Sequence, residues 1–447
     1  MEKSLFIEYI EKFFKGIVGK ITEKINGKPK EQQLLHKSML TEEYSADLRW
    51  GATELNTSIV AADVVAMDSS LPLKKRDKVS SASGTIPKIG IKFKKGEKLI
   101  SDINVMRARG VDEQTITSKI FNDVPKVIKG IDVRKEIMFL QGLSTGVILV
   151  EDADNVGTGI RVDFGYKDEN IFHATKGKWS ESTAKPIDDI QQLFDKAQAD
   201  GRTIGLVLLS KKYLDYIRKS EDGKLLVADD NNVVVVNTGT LRTPKRQAML
   251  DALEGEFGAS FRVIDSSFLL ENLDGSHKSI RPWEEGNIVG VPGENVGRLV
   301  YGTLAEETNP VSGVSYQKSG THILVAEYSK TDPLQEFTTG QALAIPVIDG
   351  ADGIYVLHAD AASDLSVDKP SLSFTKEASS QTVTVIHSDS AVTAKSNQAW
   401  CTAAVKGKTV TVKCEANSSE ERTAKVTITD KEGNSVDVNV TQATGTE

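Results

Sequence analysis

The chain has 447 residues, 39% of them apolar and 26% charged, with a formal net charge of -8. That length exceeds a single compact core, so two or three domains are expected. The composition is that of an ordinary globular protein, and the acidic balance excludes a chain built throughout to coat nucleic acid. Two cysteines, Cys401 and Cys414, exclude a disulfide framework and fit assembly in a reducing compartment. No apolar run approaches the roughly 18 residues of a membrane span. Glu8 and Glu11 interrupt what would be the apolar core of a signal peptide. A soluble protein made without export is expected.

In chain order, residues 5–25 read as an amphipathic helix. Leu5, Phe6, Tyr9, Ile10, Phe13, Phe14, Ile17, Val18, Ile21 and Ile25 recur at three- and four-residue spacing, with Lys12, Lys15, Lys20 and Lys24 on the polar face. Such a helix either docks on its own domain or serves as an arm on a neighbouring subunit.

Residues 71–109 carry eleven basic residues against three acidic ones, a segment charge of +8. The basic set is Lys74, Lys75, Arg76, Lys78, Lys88, Lys92, Lys94, Lys95, Lys98, Arg107 and Arg109. A turn-like cluster at Ser80–Gly84 and alternation over Ile86–Phe93 give it the look of a long hairpin. Such an excursion buries little of itself. It is either a solvated charged face or a surface for a partner, which would be an acidic patch on another subunit or nucleic acid phosphate.

Residues 111–143 read as helix in two parts, with Asp123 as N-cap, Pro125 in the first turn and Gly142 as the stop. Strands follow at Gly146–Val150 and Ile160–Phe164. A helix at Ile187–Ala199 leads to a strand at Ile204–Leu209 and a helix capped by Ser210. Val233–Val236 reads as a short buried strand, Pro244–Leu253 as helix and Phe261–Ile264 as strand. Further strands are expected at Gly286–Val291, Gly297–Tyr301 and Thr321–Tyr328. The alternation makes the body a mixed α+β fold.

From Leu365 onward the chain is rich in Ser, Thr and Val with strong period-2 alternation, as at Val410/Val412 and Val436/Val438/Val440. Seven short strands in about 80 residues describe a β-sandwich. Two hairpin registers are open here. A two-residue turn at Gly407–Lys408 would put Cys401 opposite Cys414; a three-residue turn would put Trp400 there. The second collects Trp400, Val410, Val412 and Cys414 on one face, so it is the expected one, with free thiols.

No catalytic or cofactor-binding constellation stands out. The six histidines lack metal-ligand spacing. Gly290, Gly293 and Gly297 are not followed by the Gly-Lys-Ser/Thr of a phosphate-binding loop. Glu151, Asp152 and Asp154 lack the remaining ligands of a calcium loop. No enzyme, metal or cofactor is expected.

Two resemblances sharpen the reading. The run FRVIDSSFLLENLDGS, then Pro282 and Trp283 ahead of NIVGVPGENVGRLVYGTLAEE, resembles the lambda-type branch of the tailed-phage major capsid family. GVILVED, GIRVDFG, Trp179, PIDDIQQLFDKAQ, LVLLSKKYLDYI, Pro333 and QALAIPVI follow the same branch in order and spacing. The match spans roughly residues 45–357, as a pattern of elements and short strings. It implies the Hong Kong 97-type capsid fold in 46–357 behind an N-terminal arm in 1–45. The extended loop would lie near 65–105, the spine helix of the peripheral domain near 111–143 and the axial domain near 200–300. The function implied is a shell protein that self-assembles as pentamers and hexamers around double-stranded DNA in the host bacterial cytoplasm, with portal and scaffold as partners. Lys74, Lys75, Arg76, Lys78, Lys88, Lys92, Lys94, Lys95 and Lys98 would then face a neighbour or DNA.

The segment 365–447 is similar to BACON domains. The residues that carry this are PSLSFTKEASSQTVTV, Trp400, VTVKCEANSSEERTAKVTIT and VDVNVTQA. This resemblance implies an immunoglobulin-like module facing outward as decoration. Trp400 would be either a core residue or a stacking platform for surface glycans. A glycan-binding surface protein and a nanocompartment shell of the same fold are the alternatives.

Overall fold

A computed structural model of the chain describes residues 2–26, 34–51, 83–150, 160–230, 241–271, 275–362, 365, 367, 369, 371–385, 392–429 and 435–444. The apolar residues divide among three cores.

The first core lies under a six-stranded sheet. Its order is Leu40–Tyr44, Gly297–Gly302, Gln335–Ile348, Ile323–Lys330 and Ser315–Ser319, with Lys88–Lys95 also paired to Gln335–Ile348. The first pair is parallel and the others antiparallel. The long helix Val124–Thr145 packs on this sheet and buries Val127, Ile128, Ile131, Met138, Phe139 and Leu140. The N-terminal helix Ile7–Asn26 docks on the same core through Phe6, Ile10, Phe14 and Val18, with Phe14 stacked on Phe121. Its apolar stripe is thus spent on its own subunit. Each such side chain gains about 1.5–3 kcal/mol from burial.

A five-stranded sheet separates the first core from the second. Its order is Ile171–Ala174, Tyr355–Ala362, Asn287–Val291, Leu206–Ser210 and Ser260–Ile264. Leu206 and Leu208 point into the first core and Val207 and Leu209 into the second. Both faces are therefore covered, which is why this strand reads as a continuous apolar run rather than an alternation. Helices Pro186–Ala199, Lys211–Lys219 and Arg246–Phe257 supply residues to the second core. That core also draws on Trp179, Tyr355, Leu357 and Ala359.

Residues from Leu372 to Val440 form the third core within two sheets, ordered Ser371–Phe374, Ser435–Gln442, Arg422–Thr429, Thr393–Ser396 and Ser379–Thr384, Thr409–Cys414, Cys401–Lys406. These seven strands are the expected immunoglobulin-like sandwich.

Several local expectations need correction. Gly142 does not stop the long helix, which continues to Thr145 and ends at Gly146 with φ +76°. Gly142 is a packing glycine: a Cβ there would meet Ile148 and Phe164 at 3.0 Å. Asp123 precedes the helix without a capping bond, its carboxylate accepting from Lys126 at 2.8 Å. Ser210 likewise makes no side-chain cap. Glu97–Ala108 and Glu221–Asp230 are helices besides those expected. The expected strand Val233–Val236 lies outside the described residues. In the sandwich, Cys401 stands opposite Cys414, so the Trp400 register is wrong. Gly407 at φ +62° supplies the left-handed first position of a two-residue turn, and local turn geometry outweighed the larger side chain.

Candidate intersubunit surface

Two short paired strands flank the first part of the basic segment in the sequence. Arg49–Gly51 and Ser83–Thr85 run antiparallel, with Trp50 opposite Gly84. Trp50 is buried beside the ring of Phe164, and a Cβ on residue 84 would lie 2.9 Å from its Nε1. Arg298 braces this base. Its guanidinium donates to the Gly51 carbonyl at 2.7 Å, to Asp349 at 2.7 and 2.9 Å and to Glu43 at 2.5 Å. The hydrogen bonds to Asp349 push its pKa up, so it stays charged. Lys74, Lys75, Arg76 and Lys78 fall between the two legs and lie outside the described residues.

The return leg continues into Lys88–Lys95, which alternates as a half-buried strand should. Ile89, Ile91 and Phe93 pack against the first core, while Lys88, Lys92 and Lys94 are exposed. Lys92 lies over the Phe337 ring at 4.2 Å, and Lys88 pairs with Glu306 at 3.1 Å. Lys98 is exposed on the next helix. Lys95 differs from the rest of this basic set: it is 1% exposed and donates to Thr338 at 2.7 Å, with Glu327 and Asp123 at 3.8 and 3.7 Å. Its charge belongs to the interior and is not available to a partner in this conformation. Burial pushes the Glu327 carboxyl up to about 8, against the pull of Lys95.

A second buried polar group ties the segment after the N-terminal helix to the long helix. Glu136 accepts from the backbone N–H groups of Leu35 and His36 at 2.8 and 2.9 Å and lies 2.7 Å from His36 Nδ1. Burial holds the His36 ring below its ordinary pKa. A cavity of about 260 Å³ lies alongside, with Lys37, Asp132, Lys135 and His322 among its lining residues. Sequence reading missed this group. Its one local signal is the cluster of four ionisable residues, Asp132, Arg134, Lys135 and Glu136, in the middle of the long helix.

In the sandwich, Trp400 is half-buried against the core and carries the Arg422 guanidinium over its ring at 4.2 Å. Arg422 is held by Gln442 at 3.0 Å and by the Glu415 carbonyl at 2.8 Å. The ring is therefore packed by its own domain on that side. Among the described residues, no group of three or more His, Cys, Asp or Glu is placed to hold a metal ion. Glu151, Asp152 and Asp154 lie outside them. No described helix is long and apolar enough to cross a membrane.

The described residues form a mixed α/β body with a paired base at Arg49–Gly51 and Ser83–Thr85 that Arg298 braces. The model for phage major capsid protein E matches residues 18–357, more than half the chain, and the chain belongs to that family. It is a bacteriophage major capsid protein, located in the virion capsid and structural in role. A model for BACON, a family of proposed binding domains, matches residues 390–443. No curated protein sequence matches the chain.

Among solved structures, the chain is similar to a protein assigned as a prophage capsid protein of Escherichia coli CFT073. The identity is 15% and the TM-score 0.44, over 73% of this chain and 92% of that one. It is also similar to a phage-related protein of Bordetella bronchiseptica RB50 at 10% identity and TM-score 0.42, over 76% and 96%. A Bacteroides ovatus GH5 xyloglucanase, solved with a XXXG heptasaccharide, is similar over 18% of this chain and 19% of its own, at 27% identity and TM-score 0.17. The family match carries the assignment.

Proposed function

We propose that copies of this chain assemble as pentamers and hexamers into the closed icosahedral shell of a tailed phage. The shell forms in the host bacterial cytoplasm with portal and scaffold proteins and encloses double-stranded DNA. The observation that carries this reading is the braced base at Arg49–Gly51 and Ser83–Thr85. The segment between its two strands, residues 52–82, carries Lys74, Lys75, Arg76 and Lys78. That segment, with the exposed Lys88, Lys92, Lys94 and Lys98, meets either acidic surface on the next subunit or DNA phosphate.

Many modest interfaces, each of the order of 1,000–2,000 Å², sum over a closed shell to hold it together without catalysis or a cofactor. Residues 365–447 form a separate domain facing outward from it. A glycan role for Trp400 finds little support, since Arg422 lies over its ring.

The test is negative-stain electron microscopy of the purified chain, alone and co-expressed with the genes beside it. Closed shells, rings of five or six subunits, or tubes support the reading. A monodisperse monomer under every condition overturns it.

A further inference from the structure

We propose that Cys401 and Cys414 form a dithiol that closes to an intradomain disulfide when the particle meets a low-molecular-weight disulfide oxidant. The two residues face each other across adjacent antiparallel strands. The Glu415 N–H donates to the Trp400 carbonyl at 2.9 Å, just outside the pair. That bond makes Cys401–Cys414 a non-hydrogen-bonded pair, the position where facing side chains come closest, with Cα atoms about 4.5 Å apart. A disulfide spans Cα separations of about 4.4–6.8 Å, so closure needs side-chain rotation and little backbone movement.

Both thiols are buried, and the strand arrangement decides which one reacts first. Cys401 opens the strand Cys401–Lys406, which lies at the edge of its three-stranded sheet and follows the turn ending at Trp400. Edge-strand ends fray most readily. Cys414 lies on the central strand, paired on its other side with Ser379. Burial and the neighbouring Cys401 thiol push the Cys414 thiol up to about 12, which makes it the poorer first nucleophile.

In the first step the Cys401 sulfur attacks the oxidant. The oxidant's S–S bond breaks, a mixed disulfide forms, and one small thiol leaves with the proton lost by Cys401. In the second step the Cys414 sulfur attacks Cys401 Sγ. The mixed disulfide breaks, the second small thiol leaves with the proton of Cys414, and the cystine remains. Two protein thiols are oxidised and one oxidant disulfide is reduced to two thiols. The turn at Gly407–Lys408 already ties the hairpin at its other end, so the new bond closes it at both ends.

The experiment incubates the full-length chain with oxidised and reduced glutathione at set ratios, in native buffer and in urea. Samples are quenched in acid, labelled with N-ethylmaleimide after denaturation and weighed intact. The proposal expects a chain lighter by two hydrogen atoms that takes no label, and a native equilibrium constant for closure at least about tenfold above that in urea. Cys401→Ser and Cys414→Ser should each abolish the mass loss. Two labelled thiols persisting in native buffer, mixed disulfides that never resolve, or a native constant at or below that in urea would each overturn it.

Discussion

Nζ of Lys135 lies 2.8 Å from Nε2 of His322, 187 residues away in the chain. An ammonium can only donate, so this contact fixes a neutral imidazole with its proton on Nδ1. Nδ1 then donates to Thr321 Oγ1 at 2.8 Å, and the Thr321 hydroxyl donates to Glu42 at 2.7 Å. At the other end, Asp132 holds Lys135 at 2.8 Å and Lys37 at 2.7 Å. The chain of bonds joins the long helix, the strand Leu40–Tyr44 and the turn before Ile323–Lys330.

This arrangement makes the subunit sensitive to acid. Burial first, and then Lys135, pushes the His322 ring down to about 3. Its folded pKa is below its unfolded value, so the stability it contributes is fully present above about pH 6.5 and is lost as pH falls toward 3. His322→Gln should remove that part of the slope. Urea denaturation of the unassembled subunit at about pH 7 and 4.5 should show the wild type losing on the order of 1 kcal/mol more than the variant. Parallel losses would mean that His322 is not the titrating group.

Glu327 works in the opposite direction. Its folded pKa is raised, to about 8, so its contribution is present in full below the ordinary carboxyl range and is lost as pH rises through 8. Glu327→Gln keeps an oxygen to accept from Thr338, as Glu327 does at 2.8 Å. The variant should gain on the order of 1–3 kcal/mol over wild type at about pH 8.5 and little at pH 5. An equal gain at both pH values would remove titration as the cause.

Lys94 and Lys95 are neighbours in sequence with different burdens. Lys95→Ala removes the buried cation beside Glu327 and the donor to Thr338 and leaves their space unfilled, so it should cost about 3–5 kcal/mol of subunit stability. Lys94→Ala, on the exposed face, should stay within about 0.5 kcal/mol. The thermal midpoints of the two variants separate these roles, and similar midpoints would place Lys95 at the surface.

The charge of the excursion should matter to assembly and not to folding. Reversing Lys74, Lys75, Arg76 and Lys78 to Glu should leave the subunit's thermal midpoint unchanged and abolish shells in electron micrographs. Raising salt from about 0.1 to 1 M shortens the screening length from about 10 to 3 Å, and should slow assembly of the wild type. Shells that form at an unchanged rate in both tests would leave these residues as a solvated face.

Much of this fold is written locally. The Phe-rich stripe of the N-terminal helix, the apolar face of Val124–Thr145 and the alternation of the seven sandwich strands each repeat with the period of one element. What escaped has no such period. His36 meets Glu136 across 100 residues, and Lys95 meets Thr338 across 243. In the sequence Lys95 is one more charge in a basic run. Its burial follows from its place in Lys88–Lys95, on the same inward face as Ile89, Ile91 and Phe93 and opposite Glu336. Apolar volume favours the Trp400 register, but the left-handed Gly407 fits a two-residue turn, and that turn sets Cys401 opposite Cys414.

Gly142 gives the sharpest packing test. It sits inside the long helix where Ile148, Phe164 and Ile348 crowd the backbone, and an added Cβ would meet them at 3.0, 3.0 and 3.4 Å. In an open helix Gly→Ala would stabilise by up to about 1 kcal/mol. Here three buried side chains from separate strand segments would have to give way. Gly142→Ala should therefore destabilise the subunit by about 1–3 kcal/mol. Gly130→Ala, in the same helix, meets only the flexible end of Ile91 at 3.0 Å and should be close to neutral or stabilising. Urea midpoints of the two variants should differ in that order. A stabilised Gly142→Ala would mean that the helix can move off the sheet.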